Sequence, residues 1–226
     1  MLRVVDLSFS YPKQNRRIID SISYDFEVGK FYTIFGASGS GKSTFLSLLG
    51  GLLKPDTGQI HVADTQIFPR EDDPSEIRRT LVSYIFQNFM LFPNLNAMDN
   101  IRLALDICHL PEHNQKVYET LQRLGIDSTM ASRKVKTLSG GEQQRVAIAR
   151  CLCCKTKYIL ADEPTGNLDK ENTIKLLEIL RSLGHESERC LIVVTHSELV
   201  RSASDCSLEL DMGKLTDYTN RRITWK

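Results

Sequence analysis

The chain has little of what would place it inside a membrane or on nucleic acid. Its 226 residues carry a formal net charge of only +1, so no broad basic surface is available and we expect no nucleic-acid partner. No apolar run approaches the ~18 residues that a membrane-spanning helix needs. The opening MLRVVDLSFSYP lacks the apolar core of a secretory signal. We therefore expect a cytoplasmic protein, unless a partner holds it at a membrane.

Cysteine is present, but not in the spacing of a complete metal site. The six cysteines lie at positions 108, 151, 153, 154, 190 and 206. Cys151 and Cys154 have C-x-x-C spacing, which leaves a metal or redox role open, yet no second pair or nearby histidine completes a ligand set. We favour small thiols that pack on a helix face and stay reduced in the cytoplasm.

Apolar strands interleave with helices at both ends of the chain. Residues 1–35 alternate as short strands, a helical pattern covers 42–53, and residues 97–154 are almost wholly helical. The strands KYILADE and CLIVVTHS flank a helix from about 170 to 183. This order predicts an α/β fold with a mixed sheet core and an N-terminal antiparallel β subdomain. Residues 1–87 and 155–226 would form the core, and residues 88–154 an inserted α-helical subdomain.

A phosphate-binding loop follows the strand KFYTIF. GASGSGKS fits G-x-x-x-x-G-K-[ST] between a strand and a helix, which predicts a P-loop NTPase. Glycines let successive N–H groups point at phosphate oxygens. The lysine supplies a positive charge to the β- and γ-phosphates, and the serine hydroxyl is placed to bind Mg²⁺. The predicted nucleotide-binding residues here are Gly36, Ala37, Ser38, Gly39, Ser40, Gly41, Lys42, Ser43 and Thr44.

Two carboxylates end the apolar strand YILADE. Asp162 is predicted to serve Mg²⁺ together with Ser43. Glu163, one residue further on, can orient and deprotonate a water in line with the γ-phosphate. Solvated acids are common at strand ends, but their pairing with the lysine loop favours catalysis.

A second turn suited to an anion lies at TLSGGEQQRVAIAR. Ser139 and Glu142 have the spacing of a capping box, and Gly140 and Gly141 leave the first helical amides bare, which attracts phosphate. A chain with one P-loop has no evident need of a second phosphate turn.

The order and spacing of these motifs resemble the ATPase subunits of ATP-binding-cassette (ABC) transporters. The resemblance covers almost the whole chain and includes ADEPTGNLD and a strand-end histidine. It implies two subunits paired head to tail, with each ATP between one P-loop and the partner's LSGGE turn. It also implies ATP and Mg²⁺ as ligands, an integral membrane permease subunit as partner, and a second ATPase subunit. An intact motif set permits a homodimer, which we expect.

The same resemblance assigns four further residues. Tyr11 would stack on adenine, although it could be an ordinary strand tyrosine. Gln87 would contact Mg²⁺ and the attacking water. Asp169 would cross the dimer interface, although alone it would pass as a helix cap. His196 would contact the γ-phosphate.

The stretch FQNFMLFPNLNAMDNI resembles the branch that includes lipoprotein-release, macrolide-export and cell-division ATPases. This implies a motor at the cytoplasmic face of the inner or plasma membrane that drives export or extrusion by mechanical relay. Residues 89–92 would receive the partner's cytoplasmic helix or would lie in the core, and the sequence leaves both open. The alternative function is a soluble ATPase of the same type that is not coupled to transport.

Overall fold

Two sheets organise the chain. The structure, a computed structural model, describes residues 1–12, 16–63, 65–68, 74–111, 114–166, 168–186 and 189–219. A four-stranded antiparallel sheet has the order β2-β1-β4-β5, and a six-stranded sheet has the order β10-β9-β3-β8-β7-β6. The strands are β1 Leu2–Phe9, β2 Ile19–Phe26, β3 Phe31–Phe35, β4 Thr57–Val62, β5 Thr65–Phe68, β6 Val82–Ile85, β7 Tyr158–Asp162, β8 Cys190–Val194, β9 Cys206–Asp211 and β10 Lys214–Asp217.

Helices follow the strands or lie between them. They are α1 Lys42–Leu49, α2 Ser75–Thr80, α3 Ala97–Ile107, α4 Asn114–Arg123, α5 Ser128–Ala131, α6 Gly140–Cys153, α7 Lys170–Glu186 and α8 Glu198–Ala203, with a 3-10 turn at Val135–Thr137. The predicted mixed α/β fold with an N-terminal antiparallel sheet is therefore confirmed. No helix in these described ranges is long and apolar enough to cross a membrane.

Both faces of the six-stranded sheet are covered. Side chains along a strand alternate between faces, and in β8 this places Cys190, Ile192 and Val194 in one apolar cluster with α1 and the antiparallel sheet. Leu191 and Val193 lie in a second cluster with α3, α4, α6 and α7. Burial on two faces explains why the central strands are almost continuously apolar in sequence.

The helix predicted over 42–53 ends at Leu49. Gly51 adopts a left-handed φ of 66°, and its N–H donates to the Leu48 carbonyl at 3.0 Å while the Leu52 N–H donates to the Ser47 carbonyl at 2.8 Å. This pair of bonds is a Schellman motif, which requires the left-handed conformation that glycine adopts without strain. The glycine pair Gly50 and Gly51 therefore stops α1 before the predicted end at residue 53.

The long helix α6 connects the helical segment to the sheet. Its residues Val146 and Ile148 share an apolar cluster with Ile159 of β7 and Leu191 of β8. Cys151 and Cys153 are buried in that cluster as well, which agrees with thiols packed on a helix face. The predicted division at residues 88 and 154 stays a prediction.

Candidate nucleotide site

The candidate site lies at one edge of the six-stranded sheet, where parallel strands end together. Strand β3 pairs parallel with β8, β8 with β7, and β7 with β6. The carboxyl ends of neighbouring parallel strands meet at the same edge, where α/β proteins bind ligands. The segments leaving these ends carry the P-loop, His196, Asp162 with Glu163, and Gln87. Pairing of the strands therefore assembles motifs that are far apart in the sequence.

The P-loop needs glycine at two of its positions because neighbouring chain fills the space. Gly36 has a φ of 152°, and a Cβ added there would lie 2.3 Å from the Leu210 carbonyl oxygen. Gly41 has a φ of 100°, and a Cβ there would lie 2.6 Å from Cγ2 of Ile18. A side chain at either position would displace the loop that cradles phosphate.

Lys42 lies inside the loop that it serves. Its Nζ donates to the carbonyl oxygens of Gly36 at 3.0 Å and Ala37 at 2.9 Å, and the residue is buried. Burial lowers the pKa of Lys42, and the carboxylates of Glu163 and Asp162 partly counteract this. The ammonium is thus poised where a phosphate oxygen would replace loop carbonyls as its partner.

Ser43 and Asp162 form the candidate Mg²⁺ position. The Ser43 hydroxyl donates to Oδ1 of Asp162 at 3.0 Å. Burial raises the pKa of Asp162, while the hydrogen bond from Ser43 and the charge of Lys42 lower it. A hydroxyl and a carboxylate side by side are hard oxygen ligands of the kind that Mg²⁺ prefers, so the residues fit the ion.

Glu163 is held beside His196. Its backbone has a left-handed φ of 47°, a conformation that costs a non-glycine residue about 1 kcal/mol. Oε2 accepts from the Thr195 hydroxyl and the His196 N–H, both at 3.3 Å. Oε1 lies 3.5 Å from Nε2 of His196, yet it is covered and makes no hydrogen bond to a described residue. A carboxylate oxygen with free lone pairs can orient a water and accept its proton.

One cleft of about 510 Å³ brings most of the predicted residues together. Gln87 lines it, and the Tyr11 hydroxyl bonds Oγ1 of Thr44 at 3.0 Å at the cleft's rim. The Ser40 hydroxyl is covered and makes no hydrogen bond to a described residue. The predicted residues that line the cleft are Tyr11, Ser38, Gly39, Gly41, Lys42, Ser43, Thr44, Gln87, Glu163 and His196.

The second anion turn lies outside this cleft. Its capping box is present: the Ser139 N–H donates to Oε2 of Glu142 at 2.7 Å, and the Glu142 N–H donates to Oγ of Ser139 at 3.3 Å. A Cβ added at Gly140 would meet nothing within 4 Å. The turn is therefore preformed and open on its outer side, and within one chain it does not share the cleft of the P-loop.

Asp169 also lies outside the cleft, close to this turn. Its carboxylate accepts from the Asn172 N–H at 2.8 Å and from the Asn172 amide at 2.9 Å, so it caps α7. Those bonds lower the pKa of Asp169. The preceding Leu168 packs against the second anion turn, since a Cβ on Gly141 would lie 3.1 Å from its Cδ2. The interface role of Asp169 stays a prediction.

The structure adds residues that the motifs did not indicate. Thr195 holds Glu163, and its position directly before His196 was the available signal. Ile18 lines the cleft beside Gly41.

Arg150 of α6 donates to the carbonyl oxygens of Met90 at 2.6 Å and Phe89 at 3.0 Å, and so fixes the loop that follows Gln87. Both of these loop residues have left-handed φ angles, 62° for Phe89 and 46° for Met90.

Comparison with known proteins identifies the class. The family model described as ABC transporter matches residues 19–166. The uncharacterized ABC transporter ATP-binding protein YclH of Bacillus subtilis is 38% identical over 222 residues, 97% of each chain. A dimeric structure of MJ0796, a bacterial ABC transporter cassette, superposes with a TM-score of 0.89 at 32% identity, covering 95% of this chain and 96% of that one. A dimeric post-hydrolysis state of MJ0796 bound to ADP and Pi also has a TM-score of 0.89, at 31% identity over 96% and 98% of the two chains.

The chain belongs to the ABC transporter family, and it is the ATP-binding cassette of that family, an ATPase. Its nucleotide is ATP and its ion is Mg²⁺, in agreement with the P-loop and the Ser43–Asp162 pair. The ion, when bound, neutralises charge that develops on the phosphates. The individual roles of Gln87, Glu163 and His196 stay predictions.

Proposed function

We propose that the chain is the motor subunit of a membrane complex, dimerising on ATP and driving an integral membrane permease from the cytoplasmic face of the inner or plasma membrane. The observation that carries the proposal is one short loop. It begins at Gln87 in the nucleotide cleft and continues to Met90 and Phe92, each of which is 53% exposed. A conformational change at the nucleotide cleft would therefore be transmitted to the protein surface through a loop of only a few residues.

Met90 and Phe92 lie in an apolar groove of about 460 Å³ between the sheet edge and α3. Phe86 and Ile107 also line it, and Ile107 is 57% exposed. Leu91, by contrast, packs against the core. Of the two options left open for residues 89–92, the surface option thus holds for Met90 and Phe92. Exposed apolar side chains around a concave groove are typical of a surface that binds another protein.

The groove fits an amphipathic helix with an acidic residue at one side. Its floor and walls are apolar, and Arg78, Arg79 and Arg150 lie along its lining. Helices commonly dock in such grooves through apolar anchors at helical spacing, and a carboxylate on the partner would pair with an arginine. We propose that the permease's cytoplasmic helix binds in this groove.

The two anion turns support dimerisation. Each turn is preformed within one chain, yet they do not share a cleft. Two chains arranged head to tail would bring the Ser139 turn of each against the P-loop of the other, which makes both sites complete. The MJ0796 cassette, a structural neighbour, is dimeric. We propose a homodimer for this chain, with outward transport or extrusion by mechanical relay as the branch resemblance implies.

The test uses the Glu163→Gln protein, which we expect to bind ATP without hydrolysing it and therefore to stay as a closed dimer. This variant, loaded with ATP, is used for pull-down from detergent-solubilised membranes, followed by mass spectrometry. The matched control carries Phe92→Asp in addition, because a charge in the groove should block docking, and Phe92 itself does not line the ATP cleft.

We expect one integral membrane protein with Glu163→Gln, and its loss with Phe92→Asp while the ATP-bound dimer persists. The number of its transmembrane helices then distinguishes mechanical relay from solute translocation. Recovery of only the dimer would contradict the motor function and favour the soluble ATPase instead.

A further inference from the structure

Two cysteines meet at one end of the groove. Cys108 caps the carboxyl end of α3, and Cys154 caps the carboxyl end of α6. Both are half-buried and both line the groove. Helix α3 packs against α6, and each of the two thiols shifts the pKa of the other, although the residues are far apart in sequence. We propose that Cys108 and Cys154 form an oxidisable dithiol, a modification site in which a peroxide converts the two thiols into an intramolecular disulfide.

Cys108 is the reactive member of the pair. The neighbouring thiol of Cys154 and the positive charge of Arg79 lower the pKa of Cys108 to about 7. The interaction with Cys108 and burial raise the pKa of Cys154, so this residue stays a protonated thiol beside its neighbour. The thiolate is the nucleophile in cysteine chemistry, and a half-exposed thiolate beside a second thiol is the usual arrangement of a redox-responsive pair.

Arg79 is the positively charged neighbour of Cys108. Its Nη1 lies 3.0 Å from Nε2 of His109, which holds the side chain in place. Its Nε is covered from solvent and makes no hydrogen bond to a described residue. A buried, unpaired guanidinium N–H is costly, and negative charge on the neighbouring Cys108 sulfur compensates that cost. The surroundings of the pair therefore favour the thiolate.

The other four thiols are not equivalent to this pair. Cys151 donates to the Tyr84 carbonyl oxygen at 3.5 Å, and burial raises its pKa to about 11. Burial also raises the pKa of Cys153, Cys190 and Cys206. Cys108 alone among the six cysteines combines a place in the groove lining, a neighbouring thiol and a lowered pKa.

The chemistry balances in two steps. The Cys108 thiolate attacks one oxygen of hydrogen peroxide, the O–O bond breaks, and with one proton the products are Cys108 sulfenic acid and water. The Cys154 sulfur then attacks the sulfenic sulfur and displaces its oxygen, which leaves as a second water with the Cys154 proton. Two thiols have lost two electrons and two protons, and the peroxide has been reduced.

The first measurement is labelling of the intact chain with limiting iodoacetamide at pH 7. A group with a pKa near 7 is about half thiolate there, whereas an ordinary cysteine is only a few per cent thiolate, so Cys108 should react about tenfold faster than Cys206. Cys206 is the internal control, since it is also half-buried. Equal labelling rates would contradict the proposal.

The second measurement is peptide mapping after treatment with hydrogen peroxide. Trypsin releases Cys108 in the peptide 103–116 and the three other candidates in CLCCK, residues 151–155. We expect these peptides joined by a bond that dithiothreitol breaks, in wild type and in Cys151→Ser and Cys153→Ser, but not in Cys154→Ser. A bond that persists in Cys154→Ser, or peroxide products confined to single cysteines, would overturn the assignment.

An effect on the partner rests on the proposed function. The disulfide would join the ends of α3 and α6 in the lining of the groove and restrict its adjustment to a docked helix, so oxidised protein should capture less of the membrane partner than reduced protein. Peptide mapping does not require the membrane partner. The disulfide and its effect on partner binding are therefore tested independently. A disulfide that forms while capture is unchanged would refute the regulatory effect alone.

Discussion

Ser139 has one task within its own chain and a second task in the proposed dimer, and two substitutions separate these tasks. Within the chain, its hydroxyl accepts from the Glu142 N–H at 3.3 Å. Loss of an N-cap side chain typically costs 0.5–2 kcal/mol. Because this bond is long and the reciprocal bond from the Ser139 N–H to Glu142 remains, we expect about 0.5–1 kcal/mol for Ser139→Ala. For a domain of this size, that lowers Tm by about 1–4 °C.

Ser139→Asp should behave in the opposite way. Aspartate is as good an N-cap as serine, and its charge is favourable at a helix N-terminus, so the monomer should keep its Tm. In the dimer, however, the new carboxylate would face the phosphates of the ATP on the partner's P-loop. Two like charges about 4 Å apart repel by about 4 kcal/mol at an effective dielectric constant of 20, which is a factor of about 1,000 in an equilibrium constant.

The assay combines two readouts on the Glu163→Gln background. Differential scanning calorimetry without nucleotide gives the Tm of the monomer, and light scattering with and without ATP gives the dimer. Ser139→Ala should lose a little stability and still dimerise, whereas Ser139→Asp should stay monomeric at normal Tm. Dimerisation of the Ser139→Asp protein with ATP at the unmodified affinity would refute our explanation of the two anion turns.

Three further substitutions test the cleft. Lys42→Ala removes a charged donor worth about 1.5–3 kcal/mol, so the Kd for ATP in calorimetric titration should rise about 10- to 100-fold; Lys175→Ala, on the surface, should change nothing, and an unaltered Kd for Lys42→Ala would contradict the role of the lysine. Glu163→Gln should lower the ATPase rate by about 10²–10⁴ and leave ATP binding intact, with the exposed Glu171→Gln as control; a normal rate would exclude Glu163 as the base. Burial raises the pKa of Asp162, so the folded chain without ligand binds this proton more tightly than the unfolded chain, and the ionised form costs stability at neutral pH. Asp162→Asn should therefore raise Tm at pH 7 without nucleotide, by an amount that shrinks as the pH falls toward ~4, and it should abolish the Tm shift that Mg²⁺ adds to ATP; a lower Tm at pH 7 would show that the carboxylate is stabilising.

The groove and the cleft are connected through Arg150. This side chain of α6 hydrogen-bonds to Phe89 and Met90, and α6 begins at the second anion turn. One helix thus contacts the proposed dimer interface at its first residue and the proposed permease surface near its last turn. A packed helix is a suitable element to relate events at two sites.

What the sequence by itself determined is local. The P-loop glycines, the capping box at Ser139 and the alternation of the central strands depend on residues a few positions apart, and their geometry follows from short-range hydrogen bonds and sterics. The glycine pair at residues 50 and 51 was equally local, and its ability to stop α1 could have been predicted from its conformational freedom.

Only the tertiary structure decided which distant segments meet. The order of the parallel strands brings Gln87, Asp162 and His196 to one edge, because adjacent strand ends share an edge whatever their separation in the chain. The four residues 89–92 look alike in sequence, yet their different exposures follow from the left-handed turn that Arg150 holds. The packing of α3 on α6 likewise places Cys108 and Cys154 in the lining of one groove, and the spacing of cysteines in the sequence does not predict how distant helices pack.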